Sequence, residues 1–228
     1  MEYSNNLNPE RPCKNEQELI EHFGGIALDK QLDLSDVIGE NNWNVDLGKG
    51  EITFGGDLNF PIQILGTFSH SSETLLWAWA NTQSNLPEQL IQQALKLKNY
   101  GEENQIELLA NGNFDATEDD LHLIGLIASG MFGSSAYYVA DYGQGAMVVT
   151  IDSKKIDAAH QGSHHRILTC FPQLISMFEM NHQAALKHYL HARGYQISET
   201  AEGLSAEKDG NIIQAKFDEQ SRLVSLNG

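Results

Sequence analysis

Six of the nine histidines in this 228-residue chain fall in one segment near its C-terminus. They are His160, His164, His165, His182, His188 and His191. Imidazoles that converge at a fixed spacing are common zinc ligands. His188 and His191 lie three apart on a predicted helix and would face the same way, but no HExxH pattern accompanies them. Metal ligation by His188 and His191 is therefore a weak alternative, and solvent-exposed imidazoles near a helix end are favoured.

Other patterns that mark catalytic sites are missing from the sequence. There is no GxSxG nucleophile elbow, no cysteine in a known catalytic setting, and no phosphate-binding or dinucleotide glycine pattern. The carboxylates of residues 118–120 follow Thr117, which predicts the first turn of a capped helix rather than an acid/base cluster. The sequence predicts no catalytic residue and no cofactor, which favours a protein that is not an enzyme.

The stretch FPIQILGTFSHSSETLLWAWAN, residues 60–81, reads as two strands joined by a polar turn. On these strands Trp77, Trp79 and Asn81 would share one face, and Gln63 would lie on the neighbouring strand. Two indoles beside two amides are a plausible lining for a ligand groove. Tryptophans at strand spacing more often fill a core, and this second interpretation is favoured.

The elements around this stretch predict an α+β fold. In order, they are a helix over 15–38, strands over 51–55, 60–69 and 74–81, helices over 87–101 and 117–131, a hairpin over 136–151, a polar connection over 154–163, a helical region over 166–193 and strands within 195–227. Asn15 and Glu18 form a capping signal at the start of the first helix. We expect an antiparallel sheet of about five strands packed by helices, with a C-terminal helix and a small β-meander. The meander either extends the main sheet or forms its own, and the apolar run 106–109 is predicted as a strand or an extended crossover.

The same pattern predicts how the chain is divided. Residues 1–14 are polar and read as a flexible N-terminal lead. Residues 15–163 form the main α+β domain. Residues 164–228 supply the C-terminal helix and the meander, which we expect to pack on the main domain.

The net charge of −17 is the unusual feature of the composition. A surface of that sign disfavours nucleic acid and anionic membranes as partners, because phosphate binding needs basic residues. It would speed association with a basic protein partner. The plainer alternative, that the chain is acidic simply because many bacterial cytosolic proteins are, is favoured.

Cysteine usage and the N-terminal sequence bear on the compartment. Cys13 and Cys170 occur in no metal-ligand or redox spacing. The first residues lack the basic and apolar regions of a signal peptide, and no apolar run has the length of a membrane span. These features predict a protein of the reducing cytoplasm.

The runs QILGTFS and WAWAN, preceded by the short segment ITFGG, resemble the signature of a family of uncharacterised bacterial proteins. The signature is a QxxGT segment followed by a WAWAN strand, and Leu75 and Leu76 replace the aromatic residue expected before it. The resemblance extends from the first helix to the second hairpin. It implies a bacterial, cytosolic, single-chain protein and carries no site residue or activity.

Three functional hypotheses follow from these observations. The leading one is a non-enzymatic protein-binding module, similar in charge to immunity proteins and antitoxins, that acts through an acidic surface. The alternative is a small-molecule-binding protein or enzyme with a pocket lined by Gln63, Trp77, Trp79 and Asn81. The third is a metal-assisted enzyme that uses the histidines of residues 160–191.

Overall fold

A computed structural model describes residues 12–160, 162–200 and 203–228. Its helices are α1 (Glu16–Ile38), α2 (Gln92–Asn104), α3 (Glu107–Ala110), α4 (Glu118–Phe132), α5 (Lys154–Ala159), α6 (His164–Met177) and α7 (His182–Ala192). Its strands are β1 (Trp43–Asp46), β2 (Glu51–Phe54), β3 (Leu58–Ser69), β4 (Thr74–Trp77), β5 (Asn113–Asp115), β6 (Ala136–Asp141), β7 (Gly145–Ile151), β8 (Gln196–Thr200), β9 (Gly203–Lys208), β10 (Asn211–Phe217) and β11 (Leu223–Asn227). The predicted flexible lead falls mostly on residues 1–11, outside the described part of the chain.

The main sheet is antiparallel and is built around the long strand β3. This strand pairs with β2, β4 and β7, while β1, β5 and β6 extend the sheet outwards. The sheet has seven strands rather than about five. The two extra strands, β1 and β5, have four and three residues, too few for an alternating pattern to stand out in the sequence.

The C-terminal meander forms a separate four-stranded sheet in the order β11-β10-β9-β8. The helical region before it splits into α6 and α7, and the Asn181 side chain caps α7 by accepting a hydrogen bond of 2.9 Å from Ala184 N. The predicted α+β class with a terminal meander is confirmed. The domain boundary near residue 163 stays a prediction.

Helix α1 is the element against which α4, α5, α6 and α7 pack, and it begins as predicted. Asn15 caps it, with Oδ1 accepting a 2.8 Å hydrogen bond from Glu18 N. The glycine pair inside it allows a close approach, because a Cβ on Gly25 would lie only 2.5 Å from Cβ of Tyr189 on α7. A Cβ on Gly24 would lie 3.1 Å from Cδ1 of Leu174 on α6. The helical propensity lost at the two glycines is offset by this packing.

Two segments were assigned wrongly from the sequence. The apolar run 106–109 belongs mainly to the short helix α3 rather than to a strand. The polar connection 154–163 contains α5, whose N-terminus is capped by the Ser153 hydroxyl. Both helices are shorter than two turns, so their hydrophobic periodicity is too brief to recognise.

A buried charge cluster joins α1 to the C-terminal helices. Asp29 and Asp33 of α1 have side chains 0% and 2% exposed. Arg193 donates to Asp29 Oδ2. Arg166 Nε lies 3.2 Å from Asp29 Oδ1, and Arg166 Nη2 lies 2.8 Å from Asp33 Oδ1. His160 Nδ1 lies 2.6 Å from Asp33 Oδ2. Buried charges need such partners because desolvation is otherwise uncompensated, so the cluster fixes how α5, α6 and α7 dock on α1.

Candidate functional site

The predicted WAWAN strand stops after its first tryptophan. Strand β4 ends at Trp77, and Ala78 N makes a last sheet bond of 2.8 Å to Leu65 O. The chain then turns, with Ala80 N donating to Trp77 O at 2.9 Å. The expectation that Trp79 and Asn81 continue the strand on the face of Trp77 is therefore wrong.

The two tryptophans have different surroundings. Trp77 is 0% exposed, and its Nε1 donates a 3.0 Å hydrogen bond to Leu108 O. Trp79 is half-buried beneath the Lys98 ammonium, which lies 4.8 Å from the ring centroid. Its Nε1 is buried and meets no acceptor among the described residues. Trp77 thus has the surroundings of a core residue, and Trp79 lies closer to the surface.

The two amides hold neighbouring backbone segments. Asn81 Oδ1 accepts a 3.1 Å hydrogen bond from Ser84 N in the turn that follows β4. Gln63 Nε2 donates to Gln89 O at 2.8 Å, and Gln63 Oε1 accepts from Gln93 N at 3.3 Å. Gln63 therefore anchors the start of α2 to β3. The pocket hypothesis for Gln63, Trp77, Trp79 and Asn81 stays a prediction.

His188 and His191 lie near a third imidazole, that of His22, which no sequence pattern indicates. The ring centroids of His188 and His22 on α1 are 4.2 Å apart. Within the described residues, no group of three or more His, Cys, Asp or Glu side chains has the geometry to hold a metal ion. Burial, together with His188 and His191, lowers the pKa of His22 from 6.5 to about 4.

This lowered pKa predicts a loss of stability in mild acid. The unfolded chain takes up a proton at His22 near pH 6.5, whereas the folded chain takes it up only near pH 4. The stability that depends on a neutral His22 is therefore fully present above about pH 6.5 and is lost as the pH falls towards about 4. Urea unfolding at about pH 7 and about pH 4.5 should show a smaller difference for His22→Gln than for wild type. The exposed His165→Gln serves as the control, and equal pH dependence of all three proteins would contradict the assignment.

One end of the main sheet carries an open polar groove, which we call the sheet-end groove. It has a volume of about 780 Å³ and lies between the turn after β3 and the turn after β6. The two turns meet where His70 N donates to Gln144 O at 3.3 Å. His70 Nε2 also lies 3.4 Å from Asp141 Oδ2, so the imidazole is held between the two hairpins. The sequence gives no sign of this meeting, because the turns are more than seventy residues apart.

The groove has a distinct lining and charge. The half-buried Leu76 supplies apolar surface, and Tyr142 is 53% exposed at the rim. Asp141 flanks the groove behind His70, and a 2.6 Å hydrogen bond from Gly143 N, followed by the His70 side chain, lowers the pKa of its carboxyl. An ionised carboxylate, an exposed aromatic ring and several hydroxyls are thereby presented together.

Next to this groove lies a surface that we call the acidic edge, formed by the exposed side chains of Glu73, Asp115, Glu118 and Asp119. Asp115 of β5 pairs with Thr74 of β4, and Ala116 N donates to Glu73 O at 2.8 Å. Helix α4 starts two residues later, where Asp120 caps it by accepting from Thr117 N at 2.7 Å. The four carboxylates thus come from one loop, one outer strand and one helix start that adjoin each other.

The acidic edge has few cations near it in the sequence. No lysine or arginine occurs between Lys98 and Lys154, a stretch that contains β5, α4, β6 and β7. Lys98 Nζ lies 3.6 Å from Glu102 Oε1 and is also positioned over the Trp79 ring. Residues 99–153 therefore contribute negative formal charge that no lysine or arginine of the same segment offsets.

These features define a two-sheet α+β protein whose main sheet has an acidic, grooved end. Comparison with known proteins identifies its family. Residues 17–154 match a family of unknown function, DUF6882. The match spans more than half of the chain, and the protein belongs to that family, which confirms the resemblance to a family without assigned function. No curated protein and no solved structure matches it. None of the described helices is long and apolar enough to cross a membrane.

Proposed function

We propose that this protein is a non-enzymatic binding module that holds a basic protein partner against its acidic edge. The observation that carries the proposal is the set of four adjoining exposed carboxylates in a part of the chain almost devoid of lysine and arginine. The net charge of −17 adds a long-range attraction to the local one.

The physical advantage of such a surface lies mainly in encounter and selectivity. Complementary charge raises the association rate and rejects acidic competitors, while it adds less to the final affinity. Immunity proteins and antitoxins that neutralise basic partners provide an analogy, which is based on charge alone. A cytoplasmic location is part of the proposal, since Cys13 and Cys170 are both buried and form no disulfide.

Charge variants test the proposal. The edge variant replaces Glu73, Asp115, Glu118 and Asp119 with Gln or Asn. The extract comes from cells that naturally produce the protein. At about 0.1 M salt we expect wild-type protein to retain a basic partner from this extract. At about 1 M salt, where the Debye length is only ~3 Å, the partner should be lost. The edge variant should lose most of that partner at the lower salt, as quantified by mass spectrometry.

A second variant matches the loss of charge elsewhere on the surface. It replaces four exposed acidic residues outside the acidic edge, namely Glu40, Asp57, Glu207 and Glu219. This control should keep the partner, because its carboxylates lie away from the acidic edge. Equal retention by both variants, or the absence of any salt-sensitive basic protein, would refute the proposal. Unfolding curves establish that each variant is folded.

The alternative function is a small-molecule site beside Gln63, Trp77, Trp79 and Asn81. One observation favours it: the Trp79 Nε1 group is buried and has no acceptor among the described residues. A ligand carbonyl could satisfy that donor. The extensive internal bonding of Gln63 and Trp77 makes this the weaker candidate.

A further inference from the structure

We infer that the sheet-end groove receives an arginine side chain of the basic partner. The inference rests on the proposed function and adds to it the chemistry of the contact. Three features support it: the lining of the groove, the exposed Tyr142 ring at its rim, and the carboxylates that adjoin it.

The lining is suited to a cation with several hydrogen-bond donors. No lysine or arginine lines the groove within the described residues. Acceptor oxygens are supplied by the hydroxyls of Thr67, Ser69 and Thr74 and by the Asn113 amide, while the half-buried Leu76, opposite Thr67 in the sheet, offers an apolar surface for a methylene stem. Ser69 Oγ lies 3.1 Å from Ser71 Oγ, so the hydroxyls form a short row along one wall.

Tyr142 provides the second argument. Two other rings have a lysine of the same chain beside them: Lys98 lies 4.8 Å from the centroid of the half-buried Trp79 ring, and Lys208 lies 6.0 Å from that of the buried Tyr195 ring. The Tyr142 ring is 53% exposed at the rim of a groove whose described lining contains no cation. A cation from outside would occupy the same kind of position over this ring.

Two carboxylates adjoin residues that line the groove. Asp141 lies behind His70 at one side, held by Gly143 N, and it is ionised at neutral pH. Glu73 lies in the turn between β3 and β4 that also supplies His70 and Ser71 to the groove lining. The groove thus continues directly into the acidic edge, and a partner bound there would present its basic side chains to the groove.

Arginine fits these groups better than lysine does. The guanidinium group is planar, stacks on an aromatic face, and offers five donors in a fixed fork. A row of hydroxyls next to an exposed tyrosine ring matches that shape. The lysine ammonium is more strongly hydrated and lacks a face to stack.

A titration with N-acetyl-arginine amide, followed by two-dimensional NMR of the whole protein, tests the inference. We expect saturable shifts at the backbone amides of residues 67–74 and 142–144, with a dissociation constant in the millimolar range. N-acetyl-citrulline amide, which has nearly the same shape and no charge, should leave these amides unmoved. N-acetyl-lysine amide should bind several-fold more weakly.

Variants at the rim separate the ring from general acidity. Tyr142→Ala should weaken binding about two- to fivefold, the range expected for an exposed cation–π contact, while Tyr142→Phe should retain it. Equal binding of citrulline, unchanged binding by Tyr142→Ala, or shifts confined to residues 115–119 of the acidic edge would overturn the inference. The proposed function is judged separately by the capture experiment, which can succeed even if the titration fails.

Discussion

Replacing Asp29 with alanine is expected to lower the free energy of unfolding by about 3–5 kcal/mol, the usual loss when one partner of a buried ion pair is removed. The Asp29 side chain is 0% exposed and contacts both Arg193 and Arg166. Without it the Arg193 guanidinium, itself 4% exposed, stays buried without its main counter-charge. Urea unfolding at neutral pH measures the difference.

Two further variants isolate the cause. Asp36→Ala removes an exposed carboxylate from the same helix and should change stability by less than about 0.5 kcal/mol. The double variant Asp29→Leu with Arg193→Met should be less damaging than Asp29→Ala, because no unpaired charge remains in that pair. A loss below about 1 kcal/mol for Asp29→Ala would mean that the cluster behaves as a surface salt bridge.

Replacing Trp77 with alanine is expected to cost about 3–5 kcal/mol of stability, as for other large core aromatic residues. Trp77 is 0% exposed at the end of β4, and its indole donates to Leu108 O, so truncation would leave both a cavity and an unpaired carbonyl. Thermal and urea unfolding report the loss, and Trp77→Phe should recover much of it because the ring volume is largely kept.

Trp79→Ala is the matched comparison, since Trp79 is half-buried and makes no indole hydrogen bond within the described residues. Its loss should be clearly smaller than that of Trp77→Ala. If Trp77→Ala were tolerated within about 1 kcal/mol, the site would be loosely packed, and the small-molecule pocket would become the better hypothesis.

Local signals in the sequence predicted much of the fold. Asn15 with Glu18, and Thr117 with Asp120, marked two helix starts because capping depends on residues within one turn. The hairpin of β6 and β7 was equally visible, since a glycine-rich turn separates two apolar runs. Segments of two turns or less, such as α3, carried no such signal.

The WAWAN segment shows where alternation misleads. The side chains of residues 74–81 fit the two-residue period of a strand. Strand β4 nevertheless ends at Trp77, because the backbone that follows forms hydrogen bonds within a turn. The second tryptophan is then packed near Lys98 rather than along a strand. Tertiary packing decided the conformation, as it often does for β-propensity.

The charge cluster and the sheet-end groove depend on contacts between distant parts of the chain. Asp29 and Arg193 are 164 residues apart, and an acidic residue on an amphipathic helix is ordinarily expected at the surface. His70 and Asp141 belong to turns of different hairpins. Neither pair has a spacing that a single sequence could reveal.

The most direct test of the central claim is the salt dependence of association with the basic partner that capture identifies. We predict that the association rate constant of wild-type protein falls steeply between about 0.05 M and about 0.5 M salt, as screening shortens the reach of the charges. The edge variant should associate more slowly and with a shallower dependence, while the matched control variant follows the wild type. Indistinguishable rates for the edge and control variants would contradict the claim that the acidic edge binds the partner.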